Sequence, residues 1–168
     1  RKPSKVIVVG YPFRRQTQMR LKNNRPQDVI KILWIGENAE LDRFEGFVKH
    51  LSQCEGCILL FKEKPGLVRS HEPLGKFGIS RVVLNEPFFD VLATEKIDVV
   101  IGSRSTSLLE SWLVGVPSVG LDIGDKYGQE LLTKADIPIA NDQFQLEKLV
   151  LKSLKINLEQ TRRKADAI

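Results

Sequence analysis

Short, unbroken apolar runs recur along this chain with room for one helix between each pair. They are VIVVG (6–10), VIKILWIG (29–36), CILLF (57–61), RVVL (81–84), DVVIG (98–102) and PSVGL (117–121). A run without polar alternation, rich in Val and Ile and bounded by turn residues, reads as a strand buried on both faces. Between the runs the apolar period changes to that of a helix. Leu41, Phe44, Val48 and Leu51 mark one helical face, with Glu37, Glu40 and Asp42 near its positive end. Phe88, Val91 and Leu92 predict a short helix before DVVIG, and Leu108, Leu109, Trp112 and Leu113 one that Gly115 and Pro117 stop. Leu146, Leu149, Val150 and Leu154 predict a closing helix. Strand–helix alternation of this kind dictates a doubly wound α/β fold: a mainly parallel, six-stranded sheet with helices on both faces.

At 168 residues the chain suits a single domain over 1–168. Its net charge of +5 is unevenly spread. Residues 1–31 carry nine Lys or Arg against one acid, Asp28, while the remainder is slightly acidic. The excess belongs to the first strand and to a long basic loop at 12–28. Such a segment suits phosphates or acidic lipid headgroups, and a solvated loop is the simpler account for most of its side chains. It lacks the interleaved aromatics of a nucleic-acid binder, so no nucleic-acid partner is expected. No apolar run approaches the roughly 20 residues that span a bilayer. The expected location is cytoplasmic, with peripheral contact at the inner face of the membrane through the basic segment.

Cys54 and Cys57 form a C-x-x-C that ends one helix and opens a strand. Redox-active pairs sit instead at a helix N-terminus, where the dipole favours the thiolate. Zinc needs about four ligands, and His50 and His71 are the only histidines to join the pair. The expectation is ordinary buried thiols and no metal.

In doubly wound sheets ligands lie outside the carboxyl ends of the strands. There the stretch DVVIGSRSTSLLESWLVGVPSVGLD places Ser103, Ser105, Thr106 and Ser107 where a strand turns into a helix. A helix N-terminus presents unpaired N–H groups and attracts anions. Ser107-x-x-Glu110 also fits a capping box, in which Ser and Glu satisfy only the backbone. One cap needs one hydroxyl, and this site has four. The surplus favours phosphate, and Glu110 behind them suits a ribose: together, a nucleotide. Lys62, Lys64, Arg69 and His71 follow the CILLF run and add positive charge. Lysine is costly to bury, so these are expected to face water or an anion. Gly10 stands alone, which excludes the dinucleotide and P-loop fingerprints, and no nucleophile elbow is present.

These residues resemble the C-terminal half of GT-B glycosyltransferases, which pair two Rossmann-like domains and hold the sugar nucleotide in the second. The resemblance runs from about 80 to 155, is carried by the 98–122 stretch and DIPIANDQFQLEKLVLKSL, and is nearest to bacterial enzymes of capsular and surface polysaccharides. It implies Ser105, Thr106 and Ser107 at the donor phosphates, to which the reading of the loops adds Ser103 and Lys62, with Glu110 on the ribose, Leu84, Asn85 and Glu86 beside the base, and Asp122 and Asp125 near the transferred sugar. It implies no cofactor other than the nucleotide-activated sugar as substrate, and no metal. The catalytic base would belong to an N-terminal acceptor-binding domain, and the chain, which begins at Arg1, is expected to be the C-terminal fragment without it. A sugar-nucleotide 2-epimerase-like domain and a non-catalytic nucleotide-binding module are the alternatives. The first would need more His and carboxylates around the sugar than His71 supplies.

Overall fold

A computed structural model of the chain describes residues 29–36, 41–63, 77–83 and 85–165. The expected strand at 6–10, the basic loop at 12–28, and Lys64, Arg69, His71 and Leu84 lie outside these residues. Within them run six strands, β1 (Ile30–Gly36), β2 (Cys57–Glu63), β3 (Arg81–Val83), β4 (Val99–Gly102), β5 (Ser118–Leu121) and β6 (Ile139–Ala140). Five helices alternate with them: α1 (Leu41–Ser52), α2 (Phe88–Thr94), α3 (Thr106–Leu113), α4 (Lys126–Lys134) and α5 (Gln143–Ala165). Every pairing is parallel, in the order β3-β2-β1-β4-β5-β6. The expected doubly wound α/β sheet is therefore present. Its sixth described strand is Ile139–Ala140, which the sequence reading did not include.

The unbroken apolar runs have the cause assigned to them. Successive strand residues point to opposite faces, and both faces are covered. Ile32, Trp34, Leu59, Phe61, Val99 and Ile101 pack under α1 and α5, against Phe44, Val48, Leu51, Leu146 and Val150. Leu33, Ile35, Leu60 and Val100 pack on the other side under α2, α3 and α4, against Val91, Leu92, Leu108 and Leu132. Truncating one of these fully buried side chains, Leu33→Ala for instance, should cost about 2–5 kcal/mol. Trp34 anchors the first layer with its ring against Phe44, Phe61 and Phe77, at centroid distances of 5.4, 4.8 and 5.7 Å.

Among the described residues, no helix is long and apolar enough to cross a membrane. Cys54 and Cys57 are free thiols, half-buried rather than buried. They lie at the amino ends of the strands, in the turn that leads into β2.

Candidate functional site

The strand order reverses between β1 and β4, and a crevice for ligands opens at such a point. The register places Val83, Lys62, Ile35, Gly102 and Gly120 in one row across the carboxyl ends of β3, β2, β1, β4 and β5. Gly102 is required there by packing: a Cβ on it would lie 2.7 Å from the Ile35 carbonyl oxygen. Directly beyond Gly102 come the hydroxyls.

Ser103 and Ser105 are both buried, Ser107 is half-buried and Thr106 is exposed. Ser105 is the N-cap of α3, and its Oγ accepts from the backbone N–H of Ser107 at 3.3 Å. The Ser107-x-x-Glu110 capping box, weighed as the alternative to a ligand site, is thus absent. The helix starts two residues earlier than that box requires, so Glu110 lies beyond the turn that needs capping. The hydroxyls of Ser103, Thr106 and Ser107 and the half-buried carboxylate of Glu110 make no hydrogen bond or ion pair among the described residues. One hydroxyl caps the helix and three are left over.

Two devices hold α3 in place behind this cluster. Leu108 is fully buried, and the hydroxyls of Ser111 and Ser118 gather on its carbonyl oxygen, within hydrogen-bonding distance of it and of each other, with two protons to share among the three contacts. That buried pair ties the helix to β5. Gly128 in α4 permits the second contact, since a Cβ there would lie 2.9 Å from Arg104 Cβ and 3.1 Å from the Ser103 carbonyl. The start of α4 therefore rests directly on the β4–α3 loop.

Lys62 is the largest departure from expectation. It is 6% exposed instead of facing water, and its Nζ donates to the backbone carbonyl of Glu86 at 2.6 Å. Burial pushes its pKa below the usual lysine value, and the Glu86 carboxylate opposes that shift. With Ile35 and Val83 beside it in the row, it lies on the face covered by α2 and α3. Two strand spacings, about 10 Å, separate its backbone from Gly102. Lys62 and the serines thus flank β1 from opposite sides.

Of the remaining expected residues, Glu86, Asp122 and Asp125 make contacts within the protein. Glu86 is half-buried, with its carboxylate on Arg81 at 2.6 Å, and Asn85 is exposed. Arg81 also reaches Glu95, which pairs with Lys31 at 3.3 Å. Asp122 accepts from the Gly124 N–H at 2.9 Å and from the Gln129 amide. Asp125 caps α4 through the Tyr127 N–H at 3.2 Å, with Arg104 3.8 Å from its other oxygen. Leu84 lies outside the described residues.

Two groups escaped the sequence reading. Arg104 places a half-exposed guanidinium between Ser103 and Ser105 and bridges to α4. Trp34 is fully buried, yet its indole N–H has no hydrogen-bond partner, and a Cβ on Gly36 would lie 2.9 Å from that nitrogen. A buried indole N–H ordinarily finds an acceptor. A Trp two residues before the end of a central strand was the available signal.

No protein-family model matches the chain, and no curated protein matches it. Among solved structures it is similar to the spinosyn rhamnosyltransferase SpnG, at 12% sequence identity and a TM-score of 0.47. That likeness covers 80% of this chain and 38% of the other, so the chain spans well under half of that protein's length. The α/β class rests on strand order and register and needs no support from this likeness.

Proposed function

We propose that this chain is the donor-binding half of a GT-B-type glycosyltransferase, holding a nucleotide-activated sugar at the β1–β4 crevice. The observation that carries the reading is the N-terminus of α3. Its cap is complete with Ser105, yet three further hydroxyls and the carboxylate of Glu110 make no hydrogen bond or ion pair among the described residues. Ser103, Thr106 and Ser107 would donate to phosphate oxygens beside the unpaired N–H groups of the first turn. Glu110, one turn behind, would accept from the ribose hydroxyls. Arg104 supplies positive charge at the same loop. Lys62 would act through the position of Glu86 and the 85–87 loop, or exchange its carbonyl partner for a phosphate.

The acceptor, a polysaccharide or glycoconjugate, is proposed on the sequence resemblance alone. The resemblance also puts the catalytic base on another domain, so this chain is expected to bind and not to transfer. The peripheral membrane contact of the basic segment and the cytoplasmic location are proposals of the same standing. A titration with UDP, CDP, GDP, ADP and CMP, followed by NMR, tests the site. Weak binding that perturbs residues 102–110 is expected, and no perturbation there at millimolar nucleotide would remove the assignment.

A further inference from the structure

At the opposite end of the sheet the fold assembles a group of side chains that the proposed nucleotide site does not use. His50 occupies the last turn of α1, Cys54 follows in the next turn, and Glu147 projects from α5. The His50 Nε2 is 2.8 Å from Glu147 Oε2, and the Cys54 thiol donates to the His50 carbonyl at 3.4 Å. One ligand atom from each of the three lies within 4.8 Å of the others. Cys57 is not one of that trio but borders it. Its N–H donates to the Cys54 carbonyl at 3.2 Å, closing a reverse turn in which Gly56 takes a φ of +74°. Cys54, Cys57 and Glu147 then line one open depression with Leu51 and Val150.

We propose that His50, Cys54, Cys57 and Glu147 form a closed, tetrahedral zinc site that clamps α1 and the β2 entrance to α5. The ligand chemistry selects the ion. Two thiolates with one imidazole and one carboxylate suit a borderline-soft cation without geometric preference, and C-x2-C spacing is common at zinc. Bond lengths of about 2.3 Å to sulfur and 2.0–2.2 Å to nitrogen or oxygen set ligand atoms roughly 3.3–3.8 Å apart. The His50–Glu147 contact must open by about half an ångström to admit the ion, and the thiols must close, Cys54 by up to about one and Cys57 by more. Side-chain rotation supplies both. The Phe144 ring, edge-on to the imidazole at 5.3 Å, already restricts His50. Metal binding displaces the protons of both thiols. Burial pushes the two thiols above their usual pKa, so without metal they are protonated and unreactive.

The test uses the whole chain, reduced and stripped of metal, titrated with Co2+ and then with Zn2+. One cobalt ion per chain is expected, with the visible bands of a tetrahedral ion and a thiolate charge-transfer band, both erased by one equivalent of Zn2+. Zinc should also protect both thiols from alkylation and raise the melting temperature reversibly against a chelator. Cys54→Ser, Cys57→Ser, His50→Gln and Glu147→Gln should each weaken zinc by more than the roughly 10–100-fold typical of groups that merely support ligands. Circular dichroism of each variant separates lost binding from lost folding. No tetrahedral spectrum at micromolar metal overturns the proposal. So does binding that Cys57→Ser or Glu147→Gln leaves intact, or uptake of several ions per chain, which is adventitious metal. A failed nucleotide titration leaves this outcome untouched, since the two clusters share no residue.

Discussion

At the carboxyl end of the sheet the polar side chains come from one short continuous stretch, Ser103 to Glu110. At the amino end His50 meets Glu147 across 97 positions. The first group can be read along the chain, because a strand, a tight turn and a helix N-terminus bring consecutive residues together. The second exists only because α1 and α5 pack on the same face of the sheet, burying Phe44, Val48, Leu146 and Val150 together. The two ends also differ in saturation. At the carboxyl end the cap is complete and further polar groups make no hydrogen bond among the described residues. At the amino end the polar groups are already paired with one another, and a metal would replace protons rather than fill an opening.

If that contrast is right, metal and nucleotide act on different quantities. Zinc at a thousandfold excess over its dissociation constant should add about 4 kcal/mol of stability. For a chain of this size that is a rise of roughly 10 °C in melting temperature. Nucleotide affinity measured with and without zinc should agree within error. A tenfold change in nucleotide affinity on adding zinc would show that the two ends are coupled, and would break the comparison.

Glu110 gives the next largest effect. It has no hydrogen-bond or ion-pair partner among the described residues, so Glu110→Gln should leave stability within about 0.5 kcal/mol of the parent. If it accepts ribose hydroxyls, the same change removes charge-assisted bonds of about 1.5–3 kcal/mol each. Ribonucleotide affinity should fall at least tenfold, and the preference over the 2′-deoxynucleotide should shrink. Calorimetric titration with both nucleotides reads this directly. A variant that unfolds more easily and binds as before would return Glu110 to a structural role.

Ser105 separates capping from binding within the same cluster. Ser105→Ala removes the acceptor for the Ser107 N–H and should cost about 1 kcal/mol of stability. Ser105→Asp keeps a capping oxygen but sets a negative charge against phosphate. Chemical denaturation should show it as stable as the parent, while nucleoside diphosphate affinity falls and bare nucleoside affinity holds. Equal loss for both ligands would mean that no phosphate sits at this helix.

What the sequence revealed follows the same division. Five of the six described strands were legible because burial on both faces leaves an unbroken apolar run. Ile139–Ala140 is too short to make one. Helix α4 was missed because it shows the core little: Leu132 is buried, but Tyr127 is 73% exposed and Gly128 lies at the contact with Arg104. Gly128 and Leu132 are the residues of this helix that are buried, too few to stand out along the chain. The hydroxyl cluster was legible, while which of its hydroxyls caps the helix was not, since several neighbouring residues were equally good caps. Glu147 could not be paired with His50 from spacing, for only the packing of α5 on α1 relates them. Lys62 misled in another way. A lysine at a strand end is ordinarily solvated, and only the fold shows a backbone carbonyl waiting for it.

That buried lysine supplies the smallest expected effect and a separate probe of the carboxyl end. In the unfolded chain it titrates near 10.5, and burial lowers its value in the folded protein. Between the lowered value and 10.5 the unfolded chain therefore binds more protons than the folded one. Stability must rise with pH across that window, and the full cost of the buried charge is present below it. Lys62→Met removes the titration, so the stability difference between parent and variant should change steadily as pH approaches 10.5. Urea unfolding at several alkaline pH values measures that slope. Identical slopes for the two proteins would mean that the ammonium is effectively solvated. A nucleoside diphosphate whose phosphates reach Lys62 would raise its folded pKa and flatten the slope of the parent, while zinc at the far end of the sheet would leave that slope unchanged. A slope that saturating nucleotide does not alter would keep Lys62 as a tie between β2 and the Glu86 carbonyl and take it out of the phosphate site.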